Sequence, residues 1–190
     1  MLSVARLDVS SLDLDKAKKY VSNQRLIKAE KLKSIDAKKE SLGAELLLSS
    51  LFGINFPDAD LPPQIAIGES GKPYFAQYPA LHFSISHSNL HAACVISDCL
   101  VGIDLQYMRS FDERLIKRFF TPDEQEFYNN AEDKKIAFYT IWTRKEALLK
   151  CIGTGLCNIS TMGVFDAENN GYSFSTEYFD NFTLCVCKKK

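Results

Sequence analysis

Two carboxylates, an amide and an ammonium group lie in segments whose spacing suits the binding of a divalent cation and a phosphate. Asp104 and Gln106 are two apart in the segment VGIDLQ, where apolar residues alternate with them. In a strand, both side chains would lie on one face about 6.6 Å apart, with Gly102 leaving the approach to a cation open. Glu146 and Lys150 are four apart in the helical pattern of residues 138–156. A separation of four residues places the Glu146 and Lys150 side chains on the same helix face, about one turn apart.

Ordinary surface chemistry would also produce these patterns. Glu146 and Lys150 have the spacing of a surface ion pair worth roughly 0.2–0.5 kcal/mol. Asp104 and Gln106 would suit the polar face of a half-buried strand. However, Asp is depleted in strands, so Asp104 between apolar neighbours favours a functional role.

The helical pattern of residues 138–156 predicts a long amphipathic helix. Lys145 falls in the middle of its apolar side, where a charge must be paired or must reach solvent. Gly153 and Gly155 follow the last apolar residues and predict the end of the helix, since Gly is common just past a C-terminus.

Another polar group is predicted at the end of a strand. Residues 82–86 alternate between apolar and polar side chains. Ser86, His87 and Ser88 would then gather hydroxyls and an imidazole at the strand end. Adjacent Ser and His residues do not easily form the nucleophile–base hydrogen bond of a hydrolase, so phosphate binding is the preferred interpretation.

Composition limits the function classes. The chain has 190 residues, of which 46% are hydrophobic and 25% charged, with a net charge of −1, typical of a soluble globular protein. This balance argues against a general nucleic-acid or membrane binder. We expect no signal peptide and no spanning segment. The six cysteines are expected to be thiols in a reducing cytoplasm; Cys185 and Cys187 fit strand alternation better than a metal pair.

The predicted elements divide the chain into two α+β halves, residues 1–100 and 101–190. A strand over 2–9 precedes helices over 13–22, 25–33 and 41–52, a loop over 56–63, a short strand over 65–67 and a turn over 68–73. The second half adds helices over 112–120 and from 121 and 133 onward, and then strands over 161–167, 172–177 and 182–187. Ligands often bind where such halves meet.

Three motifs in this order resemble those of the 4′-phosphopantetheinyl transferases of the surfactin-synthetase-activating type. They are FSISHS (83–88), GIDLQ (102–106) and WTRKEA (142–147) followed by Lys150, Gly153 and Gly155. The segments GKP (71–73) and RFF (118–120) add weaker matches. The order and spacing fit over nearly the whole chain.

The resemblance implies an α+β fold of two similar α/β halves related by a pseudo-twofold axis, with coenzyme A bound between them. It also implies the reaction, in which the phosphopantetheine arm of coenzyme A is transferred to a serine of an acyl or peptidyl carrier protein. Mg²⁺ assists, and adenosine 3′,5′-bisphosphate leaves. Because one chain would build a whole site, we expect a monomer.

The resemblance assigns roles to individual residues. Asp104, Gln106 and Glu146 would bind Mg²⁺, and Glu146 would also accept the proton of the carrier serine. Lys150 would steady the pyrophosphate. The remaining coenzyme A contacts would come from Lys28, Lys31, Ser41, Lys72, Ser86 and His87.

Two residues depart from the family pattern. Gln106 stands where the surfactin type often has Glu, which removes a charge from the cation site. Glu40 stands where relatives often have Arg, which removes a phosphate contact. These departures leave open a coenzyme-A-binding module without turnover. Another Mg²⁺-dependent nucleotide enzyme, such as a pyrophosphohydrolase, is a third interpretation.

Overall fold

A computed structural model of the chain describes residues 1–155 and 159–190. The end of the predicted helical pattern at Leu156 and the predicted thiol of Cys157 therefore lie outside the described residues. The elements of the first half, in chain order, are β1 (Leu2–Asp8), α1 (Leu14–Ala17), a 3₁₀ turn (Lys18–Tyr20), α2 (Asn23–Glu30), α3 (Ile35–Asn55), β2 (Ile65–Ile67), β3 (Pro73–Phe75), β4 (His82–Ser88) and β5 (His91–Ser97).

The second half contains a similar mixture of helices and strands. Its elements are β6 (Val101–Tyr107), α4 (Arg114–Phe119), α5 (Pro122–Asn130), α6 (Lys134–Ile152), α7 (Val164–Asn169), β7 (Tyr172–Phe179) and β8 (Phe182–Lys189). Helices and strands thus mix in both halves, which confirms the α+β class.

Two three-stranded antiparallel sheets carry the fold, and both have the same strand order. In the first sheet the order is β1-β5-β4, and in the second it is β6-β8-β7. Each sheet thus pairs its first strand with the last strand of a later hairpin. The long helix α3 packs on the first sheet and α6 on the second. Apolar side chains from β5, β6 and β8 form one core cluster that links the two sheets.

Helix α6 begins and ends as the sequence predicts. The Asp133 side chain accepts a hydrogen bond from the Ile136 N–H at 2.9 Å, which satisfies a donor at the helix N-terminus. Gly153 ends the helix with φ of 88°, a left-handed conformation that favours glycine.

The charge of Lys145 is paired inside the protein. Its side chain is 1% exposed. Its Nζ donates to Glu124 Oε2 and to the carbonyl of Met162, both at 2.7 Å. Glu124 also accepts from the N–H groups of Thr121 and Val164. This buried pair therefore fixes α5 and the start of α7 against α6.

Some predicted elements are wrong or differ in length. Residues 161–167 were expected to form a strand, but Val164–Asn169 is a helix whose buried Val164 and Ala167 are three apart on one face. Helix α3 begins earlier than predicted, because the Ser34 hydroxyl accepts from the Ala37 N–H. Strand β4 continues to Ser88, and the chain reverses at Asn89 and Leu90, which both have positive φ.

Five cysteines of the described residues are free thiols: Cys94, Cys99, Cys151, Cys185 and Cys187. Cys185 and Cys187 lie on one face of β8 and pack against α6, which confirms their interpretation as strand residues. Among residues 1–155 and 159–190, no helix combines the length and the apolar character that crossing a bilayer requires.

Gly102 has a different role from the one expected. A Cβ at this position would lie 2.0 Å from the Ala147 carbonyl oxygen and 2.4 Å from the Cys151 nitrogen. The backbone of α6 thus occupies the space that the missing side chain leaves. Gly102 brings helix and strand into contact, and does not open an approach for a cation.

We expect Gly102→Ala to lower the free energy of unfolding by more than about 3 kcal/mol, because the added methyl group must push α6 away from β6. Urea denaturation measures the change. Gly53→Ala is the control, since its added Cβ would meet only the flexible end of Leu61. If Gly102→Ala and wild type had equal stability, the close contact between Gly102 and the backbone of α6 would be contradicted.

Candidate active site

The carboxylate of Asp104 is the centre of a hydrogen-bonded polar cluster. Asp104 lies in β6 and is 2% exposed. Its Oδ1 accepts from Ser86 Oγ at 2.8 Å and from Lys150 Nζ at 2.7 Å. Its Oδ2 accepts from Gln106 Nε2 at 3.1 Å. Three elements, β4, β6 and α6, therefore meet at one buried carboxylate.

Serine hydroxyls join the edge of β4 to the edge of β6. Ser86 Oγ accepts from the Leu105 N–H at 3.1 Å, and Ser88 Oγ accepts from the Tyr107 N–H at 3.0 Å. Lys150 Nζ also donates to Ser86 Oγ at 2.9 Å. The two serine hydroxyls thus satisfy backbone N–H groups on the edge of β6 that does not pair with β8. We call this contact the β4–β6 junction.

Glu146 is the second carboxylate of the site. It lies one turn before Lys150 on α6 and is half-buried. Burial raises the pKa of Glu146, the charge of Asp104 adds to the rise and Lys150 opposes it, so that the pKa is about 7. Lys150 forms its ion pair with Asp104 at 2.7 Å. The helix acid and the strand acid thus lie close enough to repel each other.

The donor set fits a hard divalent cation. Two carboxylates and the amide oxygen of Gln106 are the oxygen ligands that Mg²⁺ prefers, and Mg²⁺ commonly uses one or two protein carboxylates. A cation would relieve the repulsion between Asp104 and Glu146. Within the part of the chain that the structure describes, no group of three or more His, Cys, Asp or Glu side chains could hold a metal. Gln106, whose side chain contacts Asp104, could supply a third oxygen ligand through its amide.

His87 extends the polar surface beyond the junction and is held by an acid from α3. Its Nδ1 lies 2.9 Å from Glu40 Oε2. Glu40 Oε1 accepts from the Leu90 N–H at 2.8 Å, which braces the turn between β4 and β5. Ser41 follows Glu40 in α3 and is buried. Sequence reasoning treated Glu40 as the loss of a phosphate contact and missed this bracing role.

The structure does not bring every predicted coenzyme residue to Asp104. Lys72 Nζ donates to the carbonyls of Cys151 at 2.6 Å and Val101 at 3.2 Å, so it is turned toward the end of α6. Burial lowers the pKa of Lys72. Lys28 and Lys31 are exposed at the end of α2. Their roles stay predictions.

Helix α2, which carries Lys28, is fixed by a buried ion pair. Arg25 Nε donates to Glu45 Oε2 at 2.8 Å, and the Ser22 N–H donates to Glu45 Oε1 at 2.6 Å. Glu45 is 2% exposed on α3. This ion pair was not predicted, although Glu45 within a run of apolar residues was a signal for it.

Comparisons with known proteins agree with these motifs. The family model described as "4'-phosphopantetheinyl transferase superfamily" matches residues 100–188. The chain is 33% identical over 130 residues to the 4'-phosphopantetheinyl transferase AcpT of Salmonella typhimurium, covering 66% of the chain and 67% of that relative. The chain belongs to the 4′-phosphopantetheinyl transferase superfamily. A second member of this family, psf-1 of Bacillus pumilus, is 32% identical over 149 residues, covering 75% of the chain and 62% of the relative.

The matches do not span the whole of most relatives. For two further transferases, from Bacillus subtilis and Aneurinibacillus migulanus, the matched region covers 44% and 51% of the relative. The chain thus spans between 44% and 67% of the length of these four relatives. Among solved structures, the holo-[acyl-carrier-protein] synthase of Thermotoga maritima matches with a TM-score of 0.35 and 17% identity over 47% of the chain and 63% of that structure. That similarity is too low to define the fold.

We expect Glu146→Gln to stabilise the metal-free protein at pH 8 by about 2 kcal/mol, with a smaller gain at lower pH. Because the folded-state pKa of Glu146 is raised to about 7 from 4.5, its ionisation disfavours the fold. The destabilisation caused by ionised Glu146 is absent below about pH 4.5, grows as the pH rises, and is complete above about pH 7. Denaturation in EDTA at several pH values measures the difference.

The control for this comparison is Glu126→Gln, which removes an exposed carboxylate of α5. A Glu146→Gln variant that is no more stable than wild type at pH 8 would contradict the raised pKa of Glu146, and with it the half-buried position of this carboxylate beside Asp104.

Proposed function

We propose that this protein transfers the 4′-phosphopantetheine arm of coenzyme A to a serine of an acyl or peptidyl carrier protein. The observation that carries the proposal is the meeting of Asp104, Ser86, Lys150 and Gln106 in one hydrogen-bonded cluster with Glu146 beside it. A buried carboxylate with a half-buried neighbour of like charge suits an Mg²⁺-dependent phosphoryl transfer. Family membership supports the same reaction.

Asp104, Glu146 and Gln106 are the residues that would hold Mg²⁺. When bound, Mg²⁺ supplies neutralisation of the charge on the pyrophosphate. Lys150, which pairs with Asp104 here, would then be able to contact the pyrophosphate oxygens, because Asp104 would no longer need its positive charge. Ser86 and His87 bind phosphate oxygens from the β4 side. We also propose phosphate or nucleotide contacts for Lys28, Lys31, Ser41 and Lys72.

The transfer exchanges a phosphoanhydride bond of coenzyme A for a phosphoester bond to the carrier serine. The carrier serine oxygen attacks the phosphorus that bears the pantetheine arm. Its new O–P bond forms as the bond from that phosphorus to the bridging pyrophosphate oxygen breaks. The electron pair leaves with adenosine 3′,5′-bisphosphate. Glu146 accepts the serine proton, directly or through a water molecule. Positioning and charge stabilisation therefore account for most of the catalysis.

We further propose that residues 1–100 and 101–190 form halves related by a pseudo-twofold axis, with coenzyme A between them. The common strand order of the two sheets and their long covering helices support this symmetry. Asp104 and Glu146 come from the second half and Ser86 and His87 from the first. One chain thus supplies all of these groups, which supports an active monomer. The free thiols support a reducing cytoplasm as its location, and the net charge of −1 supports a protein that binds neither nucleic acid nor membranes.

Mass spectrometry of a carrier protein tests the proposed function directly. The protein is incubated with coenzyme A, Mg²⁺ and apo carriers of fatty-acid, polyketide and peptide synthesis. We expect one carrier or more to gain the mass of one phosphopantetheine on its serine. No gain on any carrier, with folded protein that binds coenzyme A, would contradict the transferase.

We expect Asp104→Ala and Glu146→Ala each to reduce transfer by more than about a hundredfold, because each removes a carboxylate from the cation site. The carrier mass assay gives the rates, and circular dichroism confirms that the variants fold. Glu126→Ala is the control for removal of a carboxylate. Activity within tenfold of wild type for either site variant would contradict the cation assignment.

Lys150→Met is expected to lower kcat about a hundredfold and to weaken coenzyme A binding less than tenfold, because its charge acts on the departing pyrophosphate. Steady-state kinetics and calorimetry separate the two effects. Lys135→Met changes an exposed lysine of the same helix and is the control. A loss of affinity with unchanged kcat would remove the proposed role.

A coenzyme-A-binding module without turnover is the second candidate. The observation that favours it is the Glu40 carboxylate, which lies against His87 and places a negative charge beside the proposed phosphate site. Calorimetry with coenzyme A combined with the carrier assay distinguishes the candidates. Binding without transfer supports the module, whereas robust transfer excludes it.

A further inference from the structure

Thr183 presents a buried polar group that the fold leaves unused. It is fully buried in β8. Its hydroxyl has no hydrogen-bond partner anywhere in the described ranges 1–155 and 159–190. Native proteins pair nearly all such groups, because an unpaired one keeps the full cost of its desolvation. An unpaired hydroxyl beside a binding site therefore indicates that it gains a hydrogen-bond partner when the ligand is bound.

The register of the second sheet places Thr183 beside the cation site. Thr183 is the cross-strand partner of Gln106, and Cys185 is the partner of Asp104. Residues two apart share a face of a strand, and Cys185 packs against α6 in a common cluster. Thr183 and Gln106 thus lie on the α6 side of the sheet together with Asp104. Cross-strand neighbours have Cβ atoms about 4.5–5.5 Å apart, so the amide of Gln106 can reach the Thr183 hydroxyl.

The amide of Gln106 is oriented for a site without a cation. Its Nε2 donates to Asp104 Oδ2 at 3.1 Å. A cation on Asp104 would repel this N–H group, and only the Oε1 atom of Gln106 can bind a cation. With a cation on Asp104, the amide group would therefore have to rotate so that Oε1 faces the cation. Its N–H donors would then point away from Asp104 and need a new acceptor.

We propose that Thr183 is a positioning residue that accepts a hydrogen bond from the turned Gln106 amide and so holds Oε1 toward the divalent cation. The inference rests on the cation site of the proposed function. It gives the neutral Gln106 a defined ligand orientation, which a carboxylate with two equivalent oxygens would not need. It also explains why the Thr183 hydroxyl has no partner when Gln106 is bonded to Asp104.

Mn²⁺ binding to the full chain in the presence of coenzyme A, followed by electron paramagnetic resonance, tests this inference. We expect Thr183→Val to weaken Mn²⁺ binding roughly five- to tenfold, the effect of one hydrogen bond. Thr183→Ser keeps the hydroxyl and should restore most of the affinity. Ser49→Ala is the matched control, because Ser49 on α3 carries the other buried hydroxyl without a hydrogen-bond partner among the described residues.

The side-chain amide of Gln106 gives a second readout that a purely structural role for Thr183 would not change. In a ¹⁵N NMR spectrum of wild type with coenzyme A, we expect Mg²⁺ to shift the Gln106 NH₂ signals. Thr183→Val should lose most of this shift, and Thr183→Ser should keep it. In addition, Gln106→Ala combined with Thr183→Val should bind Mn²⁺ no more weakly than Gln106→Ala alone.

The outcomes separate this inference from the proposed function. Thr183→Val with wild-type Mn²⁺ affinity and a wild-type Gln106 shift would overturn the role of Thr183, while carrier modification by wild type would still support the transferase. Additive losses in the double variant would also overturn it. If wild type binds no Mn²⁺ with coenzyme A present, both the role of Thr183 and the cation assignment are wrong.

Discussion

The buried carboxylate of Asp104 is the constraint on which the rest of the site depends. A charge removed from water is costly unless it is paired and hydrogen-bonded. Asp104 meets this requirement with three partners: Ser86 from β4, Gln106 from β6 and Lys150 from α6. Its burial therefore ties the two sheets and α6 together. The buried carboxylate suits a cation, and the Lys150 ammonium group beside it suits a phosphate.

Each of the two long helices carries one member of an ion pair, and the two pairs have opposite polarity. In the first half, the acid Glu45 lies on the long helix α3 and the base Arg25 on α2. In the second half, the base Lys145 lies on α6 and the acid Glu124 on α5. A buried pair of this kind adds little net stability, but removing one partner would leave an uncompensated buried charge. Neither ion pair uses a residue of the β4–β6 junction, so the polar groups of the junction are not needed to pair these buried charges.

Local patterns predicted the central elements and the site acids. The alternation of apolar residues around Asp104 predicted β6, and the helical spacing that includes Glu146 and Lys150 predicted α6. Both signals are local, because the hydrophobic periodicity of an element can be read from neighbouring residues. Residues 161–167 were assigned wrongly, since a short apolar run suits a strand or a helix until its packing partner is known. The bracing role of Glu40 and the position of Thr183 depend on strand register and on contacts distant in sequence. The sequence alone contains neither of these.

A crystal structure of the protein with coenzyme A and Mg²⁺ is the most direct measurement of whether the strand acid and the helix acid share one cation. We predict one Mg²⁺ at about 2.1 Å from oxygens of both Asp104 and Glu146, with the Lys150 ammonium group moved from Asp104 onto a pyrophosphate oxygen. A pyrophosphate bound elsewhere, with Asp104 still bonded to Lys150 and no cation between the two carboxylates, would contradict this account.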